Sequence, residues 1–271
     1  MSEGSEKRTE CCVFEGVQTG QQRSACAEED GPTSRLELVF GRAGVKRLAE
    51  STVFGAGGVG ASCIEALARG GVGRLVVVDG DVVQASNINR QAIAFCSTVG
   101  RRKVDVVRAM VADINPSAQV VPLDRFVLPE EVDALMDEWA PQADYVVDAI
   151  DTVSTKMAIA AYADRAGVRL VSSMGAANKL RPDCFQFVDI YDTANDPLCR
   201  IVRKEARKRG IRSLRVLYSR EEPAALPLGE PAPAEAGRRP TLGTASYVPP
   251  IMGQMLAGFV IRELAVPRGR S

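Results

Sequence analysis

A glycine-rich run lies in the first quarter of the chain, between a short β-prone segment and an Ala- and Leu-rich helical segment. Gly55, Gly57 and Gly60 fit the pattern G-x-G-x-x-G, and Gly58 adds a fourth glycine. Glycines at this spacing let the backbone turn tightly and approach a phosphate group, and the following helix points its N-terminus at that anion. The run therefore predicts a nucleotide-binding loop.

An acidic residue follows this loop at the spacing that ribose binding requires. The apolar run from Arg74 to Val78 ends in Asp79, about twenty residues after the loop, where a carboxylate can bond ribose hydroxyls. Strand, loop, helix and acid occur in this order, which favours a ligand site over a structural glycine turn. By themselves, these features are typical of a nicotinamide-dependent dehydrogenase.

The polar residues after Asp79 favour a different chemistry. Arg90 is a forked donor for phosphate oxygens, and Lys103 adds a second positive charge. Asp148 and Asp151 follow another apolar run, at the strand end that faces the ligand crevice in α/β folds. Carboxylates there can hold Mg²⁺ that bridges phosphates. Taken singly, Lys103 could be a solvated helix residue and Asp151 a helix N-cap; together these residues predict a triphosphate site.

At these residues the chain resembles the adenylating enzymes related to ubiquitin-activating enzymes, the ThiF/MoeB/HesA superfamily. The matching motifs are the glycine loop, Asp79-x-Asp81, Asn87-x-x-Arg90-Gln91, Gly100-x-x-Lys103 and Asp148-x-x-Asp151. Members of this superfamily use ATP to convert a carboxylate into an acyl adenylate. The resemblance therefore implies ATP and Mg²⁺ as cofactors.

The resemblance also implies roles for individual residues. Asp79 would hold the ribose, and Arg90 and Lys103 would contact the triphosphate. Asp151 would take Mg²⁺ through the ATP phosphates. The implied catalytic residues are Arg35, Arg90, Lys103 and Asp151. The implied cofactor-binding residues are Gly55, Gly57, Gly58, Gly60, Asp79, Asp81, Asn87 and Gln91.

Further segments resemble one family within this superfamily, the tRNA threonylcarbamoyladenosine dehydratases. They are Arg35–Gly41, Asp196–Gly210, Tyr218–Pro223 and Gly243–Pro249. Members adenylate the threonine carboxylate of the modified nucleoside beside the tRNA anticodon, and loss of AMP closes the side chain into a ring. The resemblance implies an ATP-dependent enzyme that acts on tRNA as a homodimer, with Arg35 reaching the partner's ATP site.

A basic segment supports a tRNA partner independently of this resemblance. Eight Arg or Lys residues lie between positions 200 and 215, with Glu205 as the one acidic residue. A basic helix on a chain with a formal net charge of zero is typical of a contact with a phosphate backbone. A solvated helix face is the alternative interpretation. The predicted tRNA-binding residues are Arg203, Lys204, Arg207 and Lys208.

The absence of some residue types narrows the chemistry. The chain has no histidine, so acid–base work falls to Asp, Glu, Lys, Cys or the nucleotide. Its seven cysteines form no C-x-x-C pair, which argues against structural zinc and separates the chain from many relatives that activate sulfur carriers. The residues Gly243-Thr-Ala-Ser246 contain no thiol. We therefore favour direct attack of the substrate's carbamoyl oxygen on the acyl adenylate.

Two other functions remain open at this stage. One is adenylation of the C-terminus of a ubiquitin-like sulfur-carrier protein, and the other is a non-catalytic nucleotide-binding role. Whether sulfur-transfer proteins are partners is left open. The odd number of irregularly spaced cysteines fits reduced thiols, which predicts a cytoplasmic protein, and no segment is long and apolar enough to predict a membrane span.

The elements that must position these residues alternate along the chain, which predicts a doubly wound, mostly parallel α/β fold. Continuous apolar runs predict buried strands at Arg74–Asp79, Gln119–Leu123, Tyr145–Asp148 and Arg169–Ser172. The alternating run Phe185–Ile190 predicts an antiparallel extension. The strand before the glycine loop is predicted to be short, Thr52–Phe54, which would weaken the anchoring of the loop.

The predicted organisation has four parts. Residues 1–33 form a disordered tail, and residues 34–178 form the ATP-binding adenylation core. Residues 179–265 form a C-terminal extension that contains the basic helix 200–215 and a flexible loop 221–240. Residues 266–271 form a second tail.

Overall fold

The computed structural model describes residues 31–56, 60–222 and 243–267. The strands within these ranges are β1 (Thr52–Ala56), β2 (Arg74–Val78), β3 (Gln119–Leu123), β4 (Tyr145–Asp148), β5 (Leu170–Ser173), β6 (Phe185–Asp189) and β7 (Arg215–Ser219). The α-helices are α1 (Ser34–Glu50), α2 (Gly60–Arg69), α3 (Lys103–Ile114), α4 (Val132–Trp139), α5 (Val153–Ala166), α6 (Pro197–Lys208) and α7 (Val248–Ala265).

The strands form one sheet in the order β3-β2-β1-β4-β5-β7-β6. All neighbouring pairs are parallel except β6 and β7, which are antiparallel. The predicted mostly parallel sheet with a partly antiparallel C-terminal extension is therefore confirmed. The chain winds outward in both directions from β1 and β4. This places the crevice that binds ligands in such folds at the carboxyl ends of these two strands.

Helices cover both faces of the sheet. Leu75 and Val77 of β2 belong to the core shared with α1, α2, α3 and α7. Val76 and Val78 of the same strand belong to the core shared with α4, α5 and α6. Successive side chains of a strand point to opposite faces, so a strand covered on both faces needs apolar residues at every position. This explains the continuous apolar runs in the sequence.

The prediction of a shortened strand before the glycine loop was wrong. Strand β1 continues beyond Phe54 through Gly55 and Ala56, and Ala56 is in register with both Val78 and Asp148. Gly and Ala have low β propensity, so the pattern of apolar residues ended too early. Strands on both sides hold these two residues in the ladder, and the central strand is complete.

The prediction for the basic helix was too long. Helix α6 begins after Asp196, whose carboxylate accepts a hydrogen bond from the Cys199 amide at 2.8 Å, and it ends at Lys208. Gly210 has a positive φ of 70°, a conformation that ends helices and that glycine adopts without strain. Arg215 is the first residue of β7 rather than a helical residue.

Helix α1 is broken at Gly41, where φ is 70° and ψ is 162°, so it consists of two short helical segments. The predicted tail up to residue 30 and the predicted loop from residue 223 lie outside the structure described. No helix in the described ranges is long and apolar enough to cross a membrane.

Candidate active site

The carboxyl ends of β1, β2 and β4 surround a cavity between α2 and α3. It is lined by Gly55, Gly60, Asp79, Gln91, Lys103 and Ala149 together with apolar core residues. Helix α2 begins at Gly60, so its N-terminal end, which favours anions, lies at this cavity. Gly57 and Gly58 lie outside the residues that the structure describes. The fold thus brings both described glycines of the loop together with Asp79, Gln91 and Lys103.

Lys103 is a buried cation at the first position of α3. Its Nζ lies 2.6 Å from Oδ2 of Asp81 and 4.0 Å from Oδ2 of Asp79. Its backbone amide also donates to the carbonyl oxygen of Asp81 at 3.0 Å. Lys103 is therefore not a solvated helix residue: its ammonium group is held beside two carboxylates at the edge of the sheet.

The environment of Asp79 disfavours the ionised form of its carboxyl group. Burial raises the pKa of its carboxyl group, and the negative charges of Asp81 and Asp151 raise it further. The Asp81 amide, which donates to Oδ1 of Asp79 at 2.9 Å, and the Lys103 ammonium act in the opposite direction. A partly buried carboxylate in a cavity, with its pKa set by burial and nearby charges, is typical of a functional site. Here it is suited to accept hydrogen bonds from hydroxyl groups.

Arg90 lies on the polar loop after β2. Its Nη1 donates to the Ser86 carbonyl and to Oδ1 of Asn89, both at 2.9 Å. Within the described ranges, Nε and Nη2 make no hydrogen bond, so these donors are available to a phosphate. Asn89 also donates from Nδ2 to the Thr244 carbonyl at 3.2 Å. Asn89 thus connects Arg90 with the C-terminal segment. Sequence reasoning missed it because Thr244 is 155 positions away.

The two amide residues of the Asn-x-x-Arg-Gln motif differ in their environments. Oδ1 of Asn87 accepts a hydrogen bond from the Gln84 amide at 3.0 Å, and this contact caps the short 3₁₀ helix Ala85–Asn87. Gln91 instead lines the cavity, and its buried Oε1 has no partner among the described atoms. An unsatisfied buried acceptor is costly, so this atom is suited to a ligand donor.

The acid that ends β4 and the acid in the turn after it also have different environments. Asp148 is fully buried and pairs with Lys156, whereas Asp151 is exposed. The N-cap of α5 is Thr152, so Asp151 is not the helix cap that the sequence left open. In the described ranges no group of three or more His, Cys, Asp or Glu residues could hold a metal. Mg²⁺ that enters with ATP needs only one or two carboxylates, and exposed Asp151 fits that role.

Arg35 lies apart from the interactions just described. It is exposed on α1 and makes no hydrogen bond or ion pair within the described ranges. Leu38 and Val39 on the same turn are 79% and 73% exposed. The first half of α1 therefore presents a free guanidinium group beside uncovered apolar side chains.

The four predicted tRNA-binding residues fall into two pairs. Arg203 is half-buried and donates from Nη1 to the carbonyl and hydroxyl oxygens of Thr193 at 2.6 and 2.7 Å, and Arg207 lies over the Tyr191 ring at 5.4 Å. Lys204 and Lys208 are exposed without such partners in the described structure. The second pair is therefore free to contact phosphates, while the first pair also stabilises the fold.

The cysteine that lines this cavity is not suited to act as a nucleophile. Cys63 lines it, but burial raises the pKa of its thiol to about 12, so the thiol is protonated and unreactive at neutral pH. Burial also raises the pKa of the Cys199 thiol.

Comparisons with known proteins show the family of this chain. The model of the ThiF family matches residues 33–263. The tRNA threonylcarbamoyladenosine dehydratase of Bacillus subtilis (strain 168) is 40% identical over 242 residues, which cover 85% of this chain and 93% of the relative. The crystal structure of the E. coli tRNA N6-threonylcarbamoyladenosine dehydratase TcdA in complex with ATP superposes with a TM-score of 0.75. It is 28% identical and the match covers 86% of this chain and 93% of that one. The AMP complex of the same enzyme gives a TM-score of 0.74, with 28% identity, 84% of this chain and 91% of that one. The chain therefore belongs to the ThiF family.

Proposed function

We propose that this protein is an ATP-dependent tRNA threonylcarbamoyladenosine dehydratase. The observation that carries the proposal is the cavity at the ends of β1, β2 and β4. There a partly buried carboxylate, a buried ammonium group and an unsatisfied amide oxygen lie together at the start of a glycine-led helix. The similarity to the Bacillus subtilis dehydratase over nearly its whole length supports the same substrate.

In the proposed first step, a carboxylate oxygen of the threonine side chain attacks the α-phosphorus of ATP, and pyrophosphate leaves. Arg90 and Lys103 stabilise the charge on the phosphate oxygens, because both present N–H donors at fixed positions beside the cavity. Asp79 holds the ribose, and Asp81 lies beside it. A hydrogen-bond donor of the bound nucleotide pairs with Oε1 of Gln91. The glycine loop and the start of α2 hold the phosphates.

In the second step, the carbamoyl oxygen attacks the acyl carbon, and AMP leaves with one of the original carboxylate oxygens. Loss of the N–H proton completes the ring, so the nucleoside becomes lighter by one water. The attack is intramolecular and AMP is a good leaving group, so positioning supplies most of the rate. The protonated Cys63 thiol is not needed for this step.

Asp151 would hold Mg²⁺ on the ATP phosphates, and the metal would neutralise part of their charge. The carboxylate is exposed beside the cavity, and its charge influences Asp79. Two acidic groups that face one nucleotide thereby serve different parts of it, the ribose and the phosphates.

We further propose that Lys204 and Lys208, with the outer edges of Arg203 and Arg207, contact the phosphate backbone of tRNA. The protein would act as a homodimer in the cytoplasm, where its tRNA substrate is modified. Exposed Leu38 and Val39 support an interface on α1, and the unpaired guanidinium of Arg35 would then reach the partner's ATP site.

The proposal is tested with purified protein, ATP, Mg²⁺ and tRNA that carries threonylcarbamoyladenosine. We expect AMP and pyrophosphate in equal amounts, and a nucleoside that is one water lighter by mass spectrometry. The same tRNA without the modification is the control and should give no AMP. Formation of AMP with the C-terminus of a ubiquitin-like sulfur carrier, and not with the modified tRNA, would overturn the proposal.

A further inference from the structure

A fully buried ion pair lies beneath the candidate active site. Lys156 of α5 is 0% exposed, and its Nζ donates to Oδ2 of Asp148 at 2.7 Å, to Oγ of Ser172 at 3.1 Å and to the carbonyl oxygen of Ser173 at 2.9 Å. An ammonium group has three donors, and all three are used here. Lys156 is therefore a fixed cation with no donor left for a ligand.

The partner carboxylate connects this cation with the loop that follows β4. Oδ2 of Asp148 accepts from Lys156 and also from the Ser172 hydroxyl at 2.6 Å. Oδ1 accepts from the backbone amide of Ile150 at 3.0 Å. Ile150 immediately precedes Asp151, so this hydrogen bond connects the turn that contains Asp151 with the buried pair.

The energetics of burial argue that this pair has a role beyond stability. Removing two charges from water costs about as much as their attraction returns, and apolar residues of similar size often stabilise a core as well or better. The Lys156–Asp148 pair lies next to the turn 149–151. Ala149 of that turn lines the cavity, and Asp151 lies close enough for its charge to raise the pKa of Asp79, which also lines the cavity.

We infer that Lys156 is a positioning residue: through Asp148 it fixes the turn that presents Asp151 to the magnesium on the phosphates of ATP. This inference rests on the proposed function and names residues that support the metal-binding acid from outside the cavity. Groups that orient metal ligands in this way commonly change metal affinity when they are removed.

The test compares ATP binding with and without Mg²⁺ by calorimetry, in the absence of tRNA. For Lys156→Met, we expect the increase in ATP affinity that Mg²⁺ produces to fall about tenfold or more, since loss of an outer-shell partner typically costs 10- to 100-fold in metal affinity. ATP affinity in EDTA should change by less than about threefold, because the variant leaves the cavity residues in place. Loss of folded protein lowers the stoichiometry and does not change this ratio.

Two comparisons separate positioning from general destabilisation. Lys179 is the matched control: it is also a buried lysine and pairs with Asp196 at 3.4 Å, away from β4. Lys179→Met should keep the wild-type response to Mg²⁺. In addition, Asp151→Asn should itself remove the response, and adding Lys156→Met to it should have no further effect, because coupled residues are not additive.

Ser172→Ala provides a milder second variant if Lys156→Met does not fold. It removes one hydrogen bond to Asp148 and should lower the Mg²⁺ response about threefold, as expected for one buried hydrogen bond. A wild-type response in Lys156→Met or Ser172→Ala would overturn the inference, as would additive effects of Lys156→Met and Asp151→Asn. Failure of the modified-tRNA assay with an intact, Lys156-dependent response would contradict only the proposed function.

Discussion

Lys103 and Asp81 form an ion pair in which 2.6 Å separates Nζ from the nearer carboxylate oxygen. The lysine side chain is almost fully buried, while the aspartate is about half exposed. Lys103 is therefore held at the cavity by a partner that is itself accessible to water. We expect the phosphates of ATP to replace Asp81 as the partner of the Lys103 ammonium group.

Lys103→Met should lower kcat for pyrophosphate release about 100-fold or more, because loss of one preorganised group that stabilises developing charge costs about that much. The methionine keeps the length of the apolar stem and removes only the charge. Initial rates of pyrophosphate release with saturating modified tRNA measure the effect. Lys46→Met, at an exposed position of α1, is the control and should retain the wild-type rate. A Lys103→Met variant with wild-type rates would show that the ammonium group does not contact the phosphates.

Asp79→Asn should stabilise the free protein at neutral pH while it weakens ATP binding. Burial raises the pKa of the Asp79 carboxyl group in the folded state, so the folded protein holds this proton more tightly than the unfolded chain. Stability is therefore lost as the pH rises through the folded-state pKa, and it is regained as the pH falls. The asparagine variant lacks this dependence.

Thermal unfolding between pH 8 and pH 4 measures this effect. The Tm of Asp79→Asn should exceed that of the wild type at pH 8, and the gap should narrow as the pH falls towards the ordinary carboxyl pKa of 3.8. ATP affinity should fall about tenfold, as expected for loss of a hydrogen bond to a charged group. A variant with a lower Tm at pH 8, or a gap that does not change with pH, would refute the role of burial.

Gln91→Met should likewise raise the stability of the free protein and weaken ATP binding. Oε1 of Gln91 is buried without a partner in the described structure, and replacing such a group by an apolar one of similar length should raise the free energy of unfolding by about 1 kcal/mol. The extra stabilisation that saturating ATP provides should become smaller, because the variant binds ATP less tightly. Denaturant unfolding with and without ATP measures both quantities. Lower stability of the free variant would mean that Gln91 has a partner inside the fold.

The basic residues of α6 should separate into binding and structural groups. Lys204→Ala combined with Lys208→Ala should weaken tRNA binding and reduce the salt dependence of log Kd by about 0.9 for each lost phosphate contact, with little change in Tm. Arg203→Ala should instead lower the Tm, because Thr193 loses its half-buried partner. Filter binding at several salt concentrations measures the first effect. An unchanged salt slope in the double variant would place the tRNA surface elsewhere.

Much of the fold and of the site was predictable because strand ends are marked in the sequence. The predicted strands Arg74–Asp79 and Tyr145–Asp148 match β2 and β4 to within one residue, so the acids at and after these strand ends could be assigned to one edge of the sheet. The end of β1 was not predictable in this way. Its last two residues, Gly55 and Ala56, are held by neighbouring strands rather than by their own propensity.

The division of labour within the motifs was not visible in the sequence. Asp148 and Asp151 have the same residue type, and only the buried contacts of Asp148 with Lys156 and Ser172 reveal which one is structural. The same holds for Asn89, whose partner lies in a distant segment. Such roles depend on contacts between elements, and local patterns do not contain them.

The most direct test of the central claim follows the oxygen atoms of the substrate. Modified tRNA is prepared with ¹⁸O in both carboxylate oxygens of the threonine side chain and is incubated with the protein, ATP and Mg²⁺. If the carboxylate attacks the α-phosphorus, the AMP released should carry one ¹⁸O atom and the cyclic nucleoside should retain the other. AMP without ¹⁸O, formed while the nucleoside loses water, would contradict adenylation of the carboxylate.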